Sequence, residues 1–447
     1  MTTRYWLGLG TAVAQKNTFT IGGTLEAGDQ LTITMTAENL STYDFTYEAA
    51  SSDKAAEAIL MAAAWNLSTN ALCTPITATA VSDTVELLAD VAGVPFYAAA
   101  STTESGGGAA DDQTFEMAAT TPNAGPSDCN DTDNWSGAAV PVSSDIVIFD
   151  GRTTVSALYG MNQTGVDLAK LHIMPSYTGS IGSAGAPLII ECAGNAIIQG
   201  QGTGYYLQCG NDAADADIAR LVVNAKKTSI IGLSSQKNAG GGNVAIFTEI
   251  IAQSGQLKLY GDADKTTTGA QDGTAFGTLY AAALTQASDL AIVIGDQCEN
   301  FKAAVAGTIF AVKGTIACYS DLATLYLCGA IVAIGGTAYS MDAGDDNIGT
   351  LWNLAGTLNW HPSTVVTAVE TQASVSPAIT TLHAVGGVFD ASLMKNTHTT
   401  APTITALNQY ASSNVSLANN YGNVVVTTWT KFGGDMSLSP GQSAAIS

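Results

Sequence analysis

Apolar positions in the C-terminal part of the chain recur in one frame. From Leu322 to about Ser437 an apolar anchor is followed by four residues, a small residue that is usually glycine, and a second apolar position. Leu351 leads to Gly356 and Leu358, Leu382 to Gly387 and Phe389, and Trp429 to Gly434 and Met436. Leu325 leads to Gly329, Ala330 and Val332, and Leu407 to Ser412 and Val415, both with looser spacing. An earlier copy sits at Ile250, Gly255 and Leu257. The anchors Leu325, Leu351, Leu382, Leu407 and Trp429 lie 26, 31, 25 and 22 residues apart. That is the period of one coil of a parallel β-solenoid with loops of varied length. Short apolar runs broken by Gly, Asn and Asp carry the pattern upstream, among them Leu171–Ile173, Ala196–Ile198, Leu221–Val223 and Ile309–Val312. They predict a right-handed parallel β-helix over residues 152–437 and a tail at 438–447. About a dozen rungs at ~4.8 Å each would make a rod of roughly 55–60 Å.

The N-terminal pattern differs. Thr18–Ile21 and Leu31–Met35 alternate apolar with polar around a Gly28-Asp29 turn, and Tyr43–Tyr47 is a third strand candidate. A helix is predicted from about Asp53 to Asn66, with Ala56, Ile59, Leu60, Ala63 and Leu67 on one face. Ile76–Ala80 and Thr84–Leu88 flank a Ser82-Asp83 turn, and Val94–Tyr97 begins a last strand returning at Phe115–Ala119. Residues 15–121 thus read as a small α/β module, and the whole chain as mainly β. Residues 1–14 read as an arm whose Tyr5, Trp6 and Leu7 have no periodic partner. They are candidate assembly contacts, or else they pack on their own domain. Residues 122–151 read as a linker and a cap for the solenoid. There Asn134-Trp135-Ser136-Gly137, Val140-Pro141 and Asp145–Phe149 place a large aromatic and a Pro turn before the first buried strand. Trp135 and Pro141 are the candidate cap residues, with Trp135 as a sugar platform the alternative.

Composition narrows the function. Only 12% of residues are charged and 46% are apolar, so Thr, Ser, Asn, Gln and Gly must cover the surface. Fifteen basic residues against 38 acidic ones give a net charge of −23, and the densest basic pair is Lys226-Lys227. Direct nucleic-acid binding, which needs clustered cations, is not expected. The seven cysteines form no C-x-x-C pair and read as buried free thiols made in a reducing cytosol. Met1–Gly10 lacks the pattern of a signal peptide, and no apolar run reaches the ~18 residues of a membrane span.

Candidate chemistry is thin. His172, His361, His383 and His398 lack metal-ligand spacing. Asp342, Asp345 and Asp346, and Asp212, Asp215 and Asp217, could serve glycoside cleavage or hold a cation, but read as solvated loops. Gly240–Gly242 and Gly200-x-Gly202-x-Gly204 do not open a helix after a strand, so they are not phosphate loops. No catalytic, cofactor-binding or metal residue is assigned.

The run Thr18–Gly23 through Ala27-Gly28-Asp29 to Leu31–Thr34 resembles the N-terminal module of tailed-bacteriophage virion structural proteins. So do the helix end Ala64-Trp65-Asn66 and the turn Ala92–Phe96. The segment from Asn134 to Phe149 also resembles the start of β-solenoid passengers in bacterial adhesins. The first resemblance implies a virion component made in the host cytoplasm without a signal peptide. It also implies a homotrimer that contacts the major capsid protein or another virion protein. Two placements follow: a capsid decoration (cement) protein, or a tail fibre or spike that touches a host surface glycan and in one version degrades it. A bacterial surface adhesin is the third.

Overall fold

The computed structural model describes residues 1–37, 41–104, 112–183, 186–191, 195–209, 218–233, 247–260, 276–281, 291–294, 306–318, 322–334, 348–360, 378–391, 403–417 and 424–437. Strands dominate, with one α-helix among the described residues.

The N-terminal part builds two antiparallel sheets. Lys16–Gly22 lies between Thr84–Ala89 and Thr114–Thr121, with Ile76–Val81 outside Thr84–Ala89. Gln30–Thr36 lies between Thr42–Glu48 and Tyr97–Thr103. The last two strands therefore join different sheets and do not form the expected hairpin. Phe115 is held opposite Ile21 instead, its ring 5.6 Å from Phe19.

The helix Lys54–Asn66 is capped by Asp53, which accepts from Ala56 N at 3.2 Å. Its buried face corrects the expected one. Glu57, Ala58, Met61, Ala62 and Trp65 face the core, while Ile59 and Leu60 stay largely exposed and Leu67, just past the end, is 81% exposed. In so alanine-rich a helix two faces satisfy the same period. The face carrying Met61 and Trp65 prevails because it buries more area, with small Ala58 and Ala62 between them. Trp65 meets Phe45 edge to face at 5.0 Å and donates from Nε1 to Ile76 O at 3.0 Å. Glu57 is buried on this face, satisfied by Tyr47 OH at 2.6 Å, Ser51 Oγ at 2.7 Å and Ala50 N at 3.1 Å.

The remaining described strands are parallel, each in register with a strand one repeat away. A first ladder runs from Thr3–Tyr5 to Ile146–Phe149, Lys170–Ile173, Asn195–Ile198 and onward to Val425–Lys431. A second begins at Asn162–Asp167 and Leu188–Glu191 and ends at Asp435–Ser437. In the first, one column of Cα partners reads Val147, Leu171, Ala196, Leu221, Ile250, Leu279, Ile309, Leu325, Leu351, Leu382, Leu407, Trp429. In the second, Leu257, Ile292, Ile316, Val332, Leu358, Phe389, Val415 and Met436 are in register. Every anchor and partner named from the sequence lies in one of these two columns. Stacking like on like keeps a continuous apolar core between the ladders. Two inward amides tie the ladders together: Asn353 Nδ2 donates to Val388 O at 2.9 Å, and Gln409 Nε2 to Asp435 O at 2.8 Å.

The first residues are not a free arm. Thr3–Tyr5 is the terminal strand of the first ladder, and Trp6 is fully buried. Its ring lies 5.0 Å from Trp135 and 5.8 Å from Phe149, and its Nε1 donates to Val155 O at 2.9 Å. An indole this large gains more by closing the end of its own core than by standing in water.

Candidate interaction face

From Ala306–Ala311 onward, the first-ladder strands share one inward–outward pattern. In Leu322–Leu327 the buried positions are Leu322, Leu325 and Leu327, and Ala323, Thr324 and Tyr326 point out. Ile348–Asn353 and the corresponding parts of Ala378–Asp390 and Thr403–Ser416 repeat it. Register then turns each outward position into a column. Thr308, Thr324, Thr350 and Thr381 align, followed by Ala406 and Thr428. Phe310, Tyr326, Trp352 and His383 align beside them, followed by Asn408 and Thr430.

The rings of that second column are parallel. Phe310 and Tyr326 lie 4.8 Å apart at 5°, Tyr326 and Trp352 6.5 Å apart at 9°, and Trp352 and His383 3.7 Å apart at 7°. The stack ends where Asn408 Nδ2 meets His383 Nδ1 at 3.4 Å. Burial lowers the pKa of His383 below the ordinary histidine value near 6.5, so it is neutral at pH 7. At the adjoining bend a further stripe carries exposed Val312, Leu354 and Phe432, with Tyr410 and Phe432 stacked at 5.0 Å. Apart from Lys431 on the last strand and Lys313 just past Val312, these columns carry no formal charge, in a chain of net charge −23.

The arrangement offers little reactive chemistry. Its hydroxyls are those of threonines and of Tyr326 and Tyr410, and its one imidazole is engaged by an amide. A sugar stacks on the face of an aromatic ring, but here the faces are turned towards one another, leaving edges outward. Among the described residues, no group of three or more His, Cys, Asp and Glu could hold a metal ion.

The other candidates fall elsewhere. Trp135 is buried at the start of the first ladder and donates from Nε1 to Cys129 O at 2.8 Å. Pro141 is half-buried beside exposed Val142. Tyr5 and Leu7 are half-buried, and the Arg152 guanidinium sits 3.7 Å over the Tyr5 ring. The signature around Trp135 holds the N-terminal strand. Asn134 Oδ1 accepts from Gly10 N at 2.7 Å while its Nδ2 donates to Gly125 O and Asp128 O, and Ser136 Oγ accepts from Tyr5 N at 2.9 Å. Asp145 accepts from Thr2 N at 2.9 Å and contacts Arg4 Nε at 3.4 Å. His172 meets Gln199 Oε1 at 3.3 Å, and Gly202 N donates to the buried Tyr205 hydroxyl at 2.7 Å. His361, His398, Gly240–Gly242 and both Asp clusters lie outside the described residues.

In the sequence the inward apolar anchor dominates the repeat and masks the aromatic stack. Its neighbours carried the signal: Thr308-Ile309-Phe310, Thr324-Leu325-Tyr326, Thr350-Leu351-Trp352 and Thr381-Leu382-His383 repeat one triplet. Among the described residues, no helix is long and apolar enough to cross a membrane. No family model matches the chain, and neither a curated protein nor a solved structure matches it.

Proposed function

We propose that the two ladders are faces of a right-handed parallel β-helix and that the chain is a non-enzymatic structural component of a bacteriophage particle. In this reading it is a capsid decoration protein, with the N-terminal α/β module gripping a capsid subunit and the rod projecting outward. The observation that carries the rod is the unbroken register of the Val147-to-Trp429 column, since one residue per repeat in line is what stacked coils require. With Thr3–Tyr5 at its head, the first ladder has twelve successive pairings, which at ~4.8 Å each correspond to about 58 Å. The virion assignment is supported by the sequence resemblance of the N-terminal module. An electron-microscopy reconstruction of purified particles tests both parts, with copy number from quantitative densitometry. Rods of that length in hundreds of copies are expected; absence from the particle would sink the assignment.

A tail fibre or spike is the second reading. It is favoured by Phe432, 63% exposed at the end of the Tyr410 stack, where a ring is open to a surface ligand. A few to tens of copies per particle, and protein retained on host polysaccharide, would select it. Release of reducing ends from that polysaccharide would make it an enzyme.

A further inference from the structure

We infer that the uncharged outer face of the first ladder, from Thr308 and Phe310 to Thr428 and Thr430, is the surface through which two copies of this chain pack side by side. This rests on the rod proposed above and deepens it by naming the face and its partner.

Charge is the first argument. Two molecules of net charge −23 repel wherever their carboxylates meet, and like charges juxtaposed at an interface cost several kcal/mol. The face built from the threonine and aromatic columns lets two copies approach without that penalty. Desolvating it strips water from hydroxyls and ring edges, not from ions. The threonine hydroxyls both donate and accept, so copies of one column can satisfy each other.

Size is the second. Six strands, from Ala306–Ala311 to Val425–Lys431, span about 29 Å at ~4.8 Å each. Across the strand, from Ala323 to Cys328, the residue just past Leu322–Leu327, the face is about 17 Å wide at ~3.3 Å per residue. That gives on the order of 500 Å² per copy and 1,000 Å² for a pair, the point at which an interface becomes specific. Exposed Val312, Leu354 and Phe432 make the Cys328 border of this area apolar.

Shape is the third. In-register repetition makes the face a regular, flat array, and a flat array is complementary to another of its kind. The covered ring faces argue against a glycan as occupant. The lack of any charge pattern argues against a partner selected by ion pairs.

The test is sedimentation equilibrium on the full-length protein with two variants. Thr324→Glu combined with Thr381→Glu places carboxylates on the proposed face. Ile331→Glu places one at a 50%-exposed site on the second ladder. The wild type is expected to self-associate at micromolar concentration. The double variant should dissociate at least ~100-fold more readily, as two or more like charges at an interface imply, with unchanged circular dichroism. Ile331→Glu should associate like the wild type. A monomeric wild type, an unaffected double variant, or equal loss in both variants would overturn the assignment. So would retention of a monomeric wild type on host polysaccharide. A monomer that is still a rod of the expected length by electron microscopy sinks the pairing alone. A compact particle sinks the rod beneath it.

Discussion

Leu351 is the most direct test of the stacked core. It is fully buried, in register between Leu325 and Leu382, and both of those are fully buried too. Leu351→Ala removes three carbons, worth about 2.4 kcal/mol at ~0.8 kcal/mol each. The strands on either side are pinned by backbone hydrogen bonds at the rung spacing and cannot close over the gap. The cavity should therefore add about 1 kcal/mol, giving a total of roughly 3–4 kcal/mol. The neighbouring outward residue is the control, since Thr350→Ala removes no core volume and should cost at most about 0.5 kcal/mol. Hydrogen exchange read by mass spectrometry reports local opening free energies strand by strand. A loss of 3 kcal/mol accelerates exchange roughly 150-fold, and it should be seen in Leu322–Leu327, Ile348–Asn353 and the first half of Ala378–Asp390. Wild-type exchange in those strands, or equal acceleration by Thr350→Ala, would refute a core of stacked rungs.

Gly387 has φ +68°, and an added Cβ would lie 2.2 Å from Gly356 O, so Gly387→Ala combines left-handed strain with a backbone clash. It should cost at least ~2 kcal/mol, seen as a lower denaturation midpoint by circular dichroism. Asn134→Ala leaves Gly10 N–H, Gly125 O and Asp128 O without their side-chain partner. It should destabilise the N-terminal strand by about 2–3 kcal/mol, with faster exchange in residues 1–14 and little change beyond residue 300. Burial opposes the charge on Glu57, but donation from Ser51, Tyr47 and Ala50 outweighs it and holds the carboxyl below its usual value near 4.5. Because the folded pKa is depressed, its contribution is present above pH 4.5 and is lost as pH falls through the folded value. Glu57→Gln should flatten that acid limb when unfolding is followed by Trp65 fluorescence. His383 is a base with a depressed folded pKa, so the unfolded chain takes up its proton first as pH drops below 6.5. Stability of the aromatic stack should decline from there downward, and His383→Phe should remove the decline.

Two classes of feature were legible in the sequence to different degrees. The core columns were readable because burial leaves a mark at every repeat. Leu325, Leu351, Leu382, Leu407 and Trp429 must be apolar wherever the loops between them run. The small residues at Gly356, Gly387 and Gly434 recur because the bend brings backbone against backbone. The helix face was not readable in the same way. Ile59 and Leu60 are as apolar as Met61, and only contact with Phe45 and Ile76 selects the side that carries Trp65. Nor was the fate of Trp6, because its partners Trp135 and Phe149 lie more than a hundred residues away and only strand pairing brings them together.

By itself, then, the order of residues determined a mainly β chain, its repeat, and which side chains face inward, since hydrophobicity is a property each residue carries alone. Which residues become neighbours was decided by register in three dimensions. Tyr326, Trp352 and His383 lie 26 and 31 residues apart along the chain. Parallel pairing sets them side by side, and the uncharged face exists only there.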